Sequence, residues 1–311
     1  MKTVLFVVPV FNEALNLTTF LKSIQSVELP SCDYQICFID DGSTDHSWEI
    51  IEEFSRSNLQ VYGVRLSRNF GKESALLAGL DSCEADAAII IDCDGQHPIE
   101  TAVQMINIWI KGNVQIVEAR KKTRNDSSFI YSYFARMFYS LFSYLSKLDF
   151  ENATDFRLLD ASVVRALKSF PERNFFFRGL STWVGFKRTT VEFDVLARVY
   201  GHSGWSIWKL TSLALNSITA FSSFPLQLVT GAGVVFLGVS VLIFIRALIV
   251  KFQGASPDGY TILLFTQLFA GSMMMISMGI VGGYIGRIYE EVKSRPRFLI
   301  SETTRSQRGR K

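Results

Sequence analysis

The chain has 311 residues, enough for about two domains at roughly 150 residues each, and is 48% hydrophobic and 20% charged, with a mean hydropathy of +0.21. This balance excludes a disordered or collagen-like chain, which could not bury enough apolar surface to offset the entropy of ordering. It is also too apolar for an ordinary cytosolic enzyme. The net charge of +3 is concentrated in residues 287–311, where eight Lys and Arg face three Glu, so nucleic acid is not an expected partner.

Residues 4–10, VLFVVPV, form a continuous apolar run of the kind found in a strand buried on both faces. Asn12 is placed to cap a helix reaching about residue 27, with Leu15, Leu17, Phe20, Leu21 and Ile24 as its apolar stripe. A second strand over 34–40 ends at DDGSTD, where Asp45 reads as a cap for a helix over 46–57. A third strand at 61–67, a helix at 74–83 and a fourth strand at 86–92 follow. Such alternation predicts an α/β fold with a mostly parallel sheet and helices on both faces. In such sheets ligands bind beyond the carboxyl ends of the strands. Each polar cluster falls there: Phe11-Asn12-Glu13, Asp40-Asp41-Gly42, Ser67-Arg68-Asn69 and Asp92-Cys93-Asp94.

Residues 114–119 read as a fifth strand leading into the basic run 120–124, and 129–147 as an aromatic-rich amphipathic helix carrying Arg136. Thr154-Asp155-Phe156-Arg157 precedes a helix to about 169 and strand-like segments to about 195. Residues 203–224 resemble a helix lying in a membrane interface. No charged residue occurs from Leu210 to Ile245 or from Tyr260 to Gly286, and each run exceeds the roughly 20 residues needed to span a bilayer core of about 30 Å.

The expected organisation is therefore an N-terminal domain over 1–202, the interfacial helix 203–224, two transmembrane helices within 225–286 (about 226–250 and 261–286), and a basic tail over 287–311, disordered from about 301. The loop at 252–259 has Asp258 and no Lys or Arg, so the positive-inside rule puts the N-terminal domain and both termini in the cytoplasm of an integral membrane protein. Lys251 is a small contrary signal. Cys32, Cys37, Cys83 and Cys93 have neither metal nor redox spacing, as in a reducing compartment. The N-terminus carries no signal-peptide pattern.

Asp92 and Asp94, two residues apart at a strand's end, can converge on one cation. Oxygen ligands suit Mg²⁺ or Mn²⁺, which bind through one or two carboxylates plus substrate phosphates. Gln96 supplies a nearby ligand or supporting oxygen. His97 reads as a solvent-facing turn residue before proline rather than a ligand. Arg68, Lys72, Arg120, Lys121, Lys122 and Arg124 bring cations to the same edge, as a diphosphate requires. There is no G-x-G-x-x-G or Walker loop, and three histidines give no Ser-His-Asp arrangement.

VVPVFNEALNL, IDDGSTD, LSRNFGKESAL, IIIDCDGQHP and TDFRLLD, in this order over roughly residues 3–205, resemble the inverting GT-A glycosyltransferases of family 2. More narrowly they are similar to the polyprenyl-phosphate glycosyltransferases, which include dolichol-phosphate mannose synthases and bactoprenol glucosyl transferases. The resemblance implies a GT-A, Rossmann-like fold, with Pro9, Phe11, Glu13, Ile39 and Asp41 around the nucleoside of a nucleotide sugar. It assigns Asp92 and Asp94 to metal and donor, Arg120 and Arg198 to the donor, and Asp94 with Asp155 to catalysis. Asp155 would serve either as base or to orient an arginine. Arg124, Arg136 and Arg157 are the candidates for an acceptor phosphate. Relatives often carry lysine where this chain has Gly204, which leaves open whether Lys209 replaces it.

The function implied is transfer of a hexose, foremost glucose from UDP-glucose, to undecaprenyl or a similar polyprenyl phosphate. The alternatives are a GDP-mannose-dependent mannose synthase, a processive polysaccharide synthase (disfavoured by two spans and no Q-x-x-R-W motif), and a non-catalytic membrane scaffold. Gly279 to Gly283 carries a small-xxx-small pattern suited to close helix packing or a homo-oligomer.

Overall fold

The computed structural model describes residues 2–26, 32–122, 153–172, 176–194, 224–253 and 259–304. The chain divides into two compact units, Met1–Gly204 with Arg295–Lys311, and Trp205–Ser294. The first unit is built on an eight-stranded sheet of order β7-β5-β6-β4-β1-β2-β3-β8. Its strands are β1 (Lys2–Val10), β2 (Cys32–Asp40), β3 (Val61–Leu66), β4 (Ala87–Ile90), β5 (Ile116–Lys121), β6 (Ala153–Asp160), β7 (Arg188–Phe193) and β8 (Ile300–Thr303). Six strands run one way; β6 and β8 are antiparallel to their neighbours.

The side-chain alternation of the strands divides the core into two layers. Val4, Phe6, Val8 and Val10 of β1 enter one, with Ile36 and Phe38 of β2 and Ile89 of β4. Helices α1 (Ala14–Gln25), α2 (Ser47–Ser57) and α4 (Ile99–Ile110) cover that face, through residues such as Leu17, Trp48 and Met105. Leu5, Val7, Cys37, Ile39 and Ile90 enter the other layer, under α3 (Lys72–Asp81), α5 (Ala161–Ser169) and α6 (Phe177–Trp183). Apolar side chains on both faces explain why these strands read as unbroken hydrophobic runs.

Two local expectations are corrected. Asn12 does not cap α1. Its backbone is left-handed (φ 56°), its Oδ1 accepts from the Thr44 N–H at 2.9 Å, and its own N–H donates to Ser43 Oγ at 2.9 Å. The cap comes instead from the neighbouring loop. Asp45 accepts from the Ala14 N–H at the start of α1 (3.2 Å), and from the Ser47 N–H (3.0 Å) and hydroxyl (2.6 Å) at the start of α2. The C-terminal segment, expected to be disordered from 301, adds β8 to the edge of the sheet. There Arg65 faces Glu302, and Val64 faces Thr303.

The second unit contains α7 (Phe224–Phe252) and α8 (Tyr260–Val292), which meet through the Phe236 and Phe269 rings at 5.4 Å. Leu237, Leu242, Met274, Met275 and Met278 are exposed. Both stretches expected as spans are helical. Among the described residues, however, only Phe269–Val292 is long and apolar enough to cross a membrane by length and composition; Val229–Ile243 is a shorter apolar stretch. Of the expected interfacial helix (203–224) only Phe224 is described, as the first residue of α7, and the aromatic helix (129–147) lies outside the described residues.

Candidate active site

The loops after β1, β2, β3 and β4 meet at the carboxyl edge of the parallel strands. Gly42 shows how closely they approach. Its backbone is left-handed (φ 70°), and a Cβ there would stand 2.6 Å from the Arg68 carbonyl carbon, so only glycine fits. Asp41 locks the third loop to the second. One of its carboxylate oxygens accepts from the Phe70 N–H at 2.7 Å and the other from the Gly71 N–H at 2.9 Å. Burial pushes its pKa up, and those two N–H groups oppose the rise.

A cleft of about 290 Å³ opens between these loops, lined by Pro9, Phe11, Glu13, Asp41, Lys72, Asp92 and Asp94 among others. Pro9, Phe11, Glu13 and Asp41, the residues expected around a nucleoside, thus share one wall system with the aspartate pair. Phe11 is exposed at its mouth. Ile39 is a correction. Its side chain is fully buried in the second core layer, against Gly79 of α3, and does not line the cleft.

Asp92 and Asp94 are held differently. Asp94 Oδ1 accepts from the Gln96 N–H at 3.0 Å across the turn at Gly95 (φ 77°). Asp92 carries the Lys72 ammonium on both oxygens, at 2.7 and 2.8 Å. His97 was expected to face solvent. It is partly buried instead, with its ring 4.8 Å from Phe156 and 5.6 Å from Phe193, and its Nδ1 faces the Asp92 N–H at 3.4 Å. Burial lowers its pKa against the pull of Asp92 and Asp94, so the ring at neutral pH is uncharged and buttresses the loop.

From Asp92 the charges continue inward. Lys72 also reaches Asp155 Oδ2 at 3.0 Å. Asp155 is in turn forked by Arg178, with Nε to Oδ1 at 2.6 Å and a terminal nitrogen to Oδ2 at 3.0 Å. Asp155 is 7% exposed. Burial alone would raise its pKa, but Lys72 and Arg178 hold it well below the usual carboxylate range. Lys72 itself is raised: burial of its ammonium acts downward, and the two aspartates outweigh it. Glu73 lies beside them, accepting from the Phe177 N–H at 2.9 Å. Burial first, and Asp155 second, push its pKa up to about 7.

Arg157, expected at an acceptor phosphate, is 1% exposed. It pairs with Glu118 at 3.6 Å, donates through Nε to the Thr154 carbonyl at 3.1 Å, and bonds the Ser181 hydroxyl. A side chain so enclosed braces β5, β6 and α6 and is closed to an incoming ligand. Arg120 lies on β5 opposite Ala153 and Glu192 and does not line the cleft. Arg124, Arg136 and Arg198, like Lys209, lie outside the described residues. The sequence reading missed Arg178 and Glu73, which carry no spacing signal. Glu118, the one acid of β5 and flanked there by the buried Ile116, Val117 and Ala119, was a usable sign of a buried ion pair.

No group of three or more His, Cys, Asp or Glu is gathered as a metal cage among the described residues. Asp92 and Asp94 are nonetheless suited to a cation, since an ammonium already stands on Asp92. Two carboxylates suffice for an ion that keeps waters and phosphate oxygens in its shell.

Residues 5–167 match the family model described as Glycosyl transferase family 2. The chain is 40% identical over 303 residues to the SfII prophage-derived bactoprenol glucosyl transferase of Shigella flexneri, covering 96% of this chain and 97% of the relative. It is 40% identical over 298 residues to the prophage bactoprenol glucosyl transferase homolog of Escherichia coli K12, covering 94% and 97%. Among solved structures, the fold is similar to glucosyl-3-phosphoglycerate synthase from Mycobacterium tuberculosis, crystallised with Mn²⁺, uridine diphosphate and glucosyl-3-phosphoglycerate. The TM-score is 0.51 at 18% identity, covering 70% of this chain and 77% of that one.

Proposed function

From the premise that this chain belongs to glycosyl transferase family 2, and is a nucleotide-sugar-dependent glycosyltransferase, we propose that it moves glucose from UDP-glucose onto undecaprenyl or a similar polyprenyl phosphate. It works at the cytoplasmic face of a membrane, held there by α7 and α8. The observation that carries the reading is the near full-length 40% identity to a bactoprenol glucosyl transferase, which includes the apolar helices as well as the cleft.

The reaction is a single in-line displacement. An oxygen of the acceptor phosphate bonds to the anomeric carbon as the bond from that carbon to the UDP oxygen breaks. The electron pair leaves with UDP, and the anomeric configuration inverts. Pro9, Phe11, Glu13 and Asp41 hold the nucleoside side of the donor, and Asp92 and Asp94, with Gln96 nearby, would hold Mg²⁺ or Mn²⁺. When bound, that ion supplies charge stabilisation to the departing diphosphate. A phosphomonoester with a second pKa near 6 is already mostly dianionic at neutral pH, so the acceptor needs little help losing a proton. Asp155 is too firmly ionised to be an effective proton acceptor. Its part is to orient Arg178 and Lys72 beside the reacting phosphates.

The test is transfer by the detergent-purified protein with undecaprenyl phosphate and Mg²⁺ or Mn²⁺, scoring label that enters the organic phase. UDP-glucose, UDP-GlcNAc, UDP-galactose and GDP-mannose are offered separately. Metal-dependent labelling from UDP-glucose is expected; labelling from GDP-mannose alone replaces the donor. Asp94→Asn is expected to abolish labelling, a loss of at least about 10²-fold for an electrostatic site group, with folding and membrane insertion intact. Unchanged turnover in that variant would sink the metal-site reading.

A further inference from the structure

Lys72 is the first residue of α3, and among the described residues its ammonium touches both Asp92 and the Asp155 cluster. It lies 2.7 and 2.8 Å from the two oxygens of Asp92, and 3.0 Å from Asp155 Oδ2. Both Asp92 oxygens are thus engaged by a cation that belongs to the chain. A divalent ion and this ammonium compete for the same lone pairs. The side chain is 42% exposed, so it is able to swing from Asp92 to another anion in the cleft. Asp155 gives it a pivot, because Arg178 keeps that carboxylate ionised and in place.

We propose that Lys72 is a positioning residue that holds Asp92 closed to a divalent ion until the diphosphate of a bound nucleotide draws the ammonium away. Metal and nucleotide then bind cooperatively through one exchange of partners: ammonium from carboxylate to phosphate, and metal onto the freed carboxylate. The inference rests on the donor reading proposed above, but it concerns binding and is tested without turnover.

The experiment titrates Mn²⁺ into the full-length detergent-solubilised protein, reading free Mn²⁺ by electron paramagnetic resonance, for wild type, Lys72→Met, Lys72→Arg and Arg178→Met. Without nucleotide, Lys72→Met is expected to bind Mn²⁺ about 10-fold more tightly than wild type, within the range usual for coupled sites. Lys72→Arg restores weak binding. Arg178→Met removes the same charge from the same cluster without touching Asp92, and shifts affinity less than about 3-fold. With saturating UDP the gap between wild type and Lys72→Met closes. Equal Mn²⁺ affinity in wild type and Lys72→Met overturns the proposal, as does an equal gain in Arg178→Met, which would be a charge effect alone. A gap that UDP leaves open overturns the exchange. These outcomes are independent of the transfer assay: tighter Mn²⁺ binding in Lys72→Met with no transfer from any donor would leave this inference standing and remove the proposed reaction.

Discussion

Asp155 and Glu73 are two carboxyl groups of one cluster driven in opposite directions. Asp155, gripped by Lys72 and Arg178, has its pKa depressed, so its contribution to stability is present above the ordinary carboxylate range and is lost on acidification. Glu73 is the reverse. With its pKa raised to about 7 from a usual value near 4.3, it stabilises the fold while protonated, and that contribution is lost as pH rises through about 7. Glu73→Gln keeps an oxygen for the Phe177 N–H and cannot ionise. It is expected to match wild type in thermal unfolding at pH 4 and to exceed it at pH 8, by about 1–3 kcal/mol. A second substitution separates structure from chemistry at Arg157. Removing it as Arg157→Met leaves Glu118 buried with, among the described residues, only the more distant Arg188 as a cation partner, at a cost of about 3 kcal/mol in denaturant unfolding. Transfer per folded molecule is expected to survive; its selective loss at full stability would restore Arg157 to the acceptor site.

Motif position located Pro9, Phe11, Glu13, Asp41, Asp92 and Asp94 at the cleft, because each lies at or just beyond the end of a parallel strand. It failed for Ile39, the register partner of Pro9, which is fully buried under α3, and for Arg157, which is enclosed within β6. Glu118 stands directly opposite Arg157 in the β5–β6 register, and no pattern in one strand reveals its partner in another. Arg178 joins the site from α6, brought in by tertiary packing.

The central strands and helices were legible at the level of elements because buried parallel strands leave long apolar runs and their helices leave a 3.6-residue stripe. β8 was not. ISET sits in a charged tail, and its ladder exists only through β3 more than 230 residues away. Its contribution is specific. The Thr304 hydroxyl accepts from the Gly63 N–H at 2.9 Å, the Thr304 N–H donates to the Gly63 carbonyl at 3.0 Å, and the Leu299 carbonyl accepts from the Ser67 N–H at 2.8 Å. Thr304→Val is nearly isosteric but leaves the buried Gly63 N–H without an acceptor, and is expected to lower stability by about 1–3 kcal/mol in urea unfolding. A change within about 0.3 kcal/mol would mean that β8 is held by its backbone ladder alone.

For the whole molecule, the basic residues after α8 and the apolar character of α7 and α8 set the expected orientation. Protease added to inside-out vesicles should cleave at the basic residues between Arg295 and Lys311 and within the N-terminal unit. Right-side-out vesicles should protect both. Cleavage of the tail alone from the right-side-out face would mean that the helices cross an odd number of times.

β8 also fixes an order of events during synthesis. A ribosome emits β1 through β7 long before Ile300, so the growing sheet waits with the outer edge of β3 unpaired and the Ser67 N–H without its carbonyl. The last strand arrives only after every residue of α7 and α8 has left the exit tunnel. A nascent chain stalled before residue 295 would therefore carry its cleft residues on an incomplete sheet. Completion of the sheet thus follows production of α7 and α8, the segments proposed to anchor the unit.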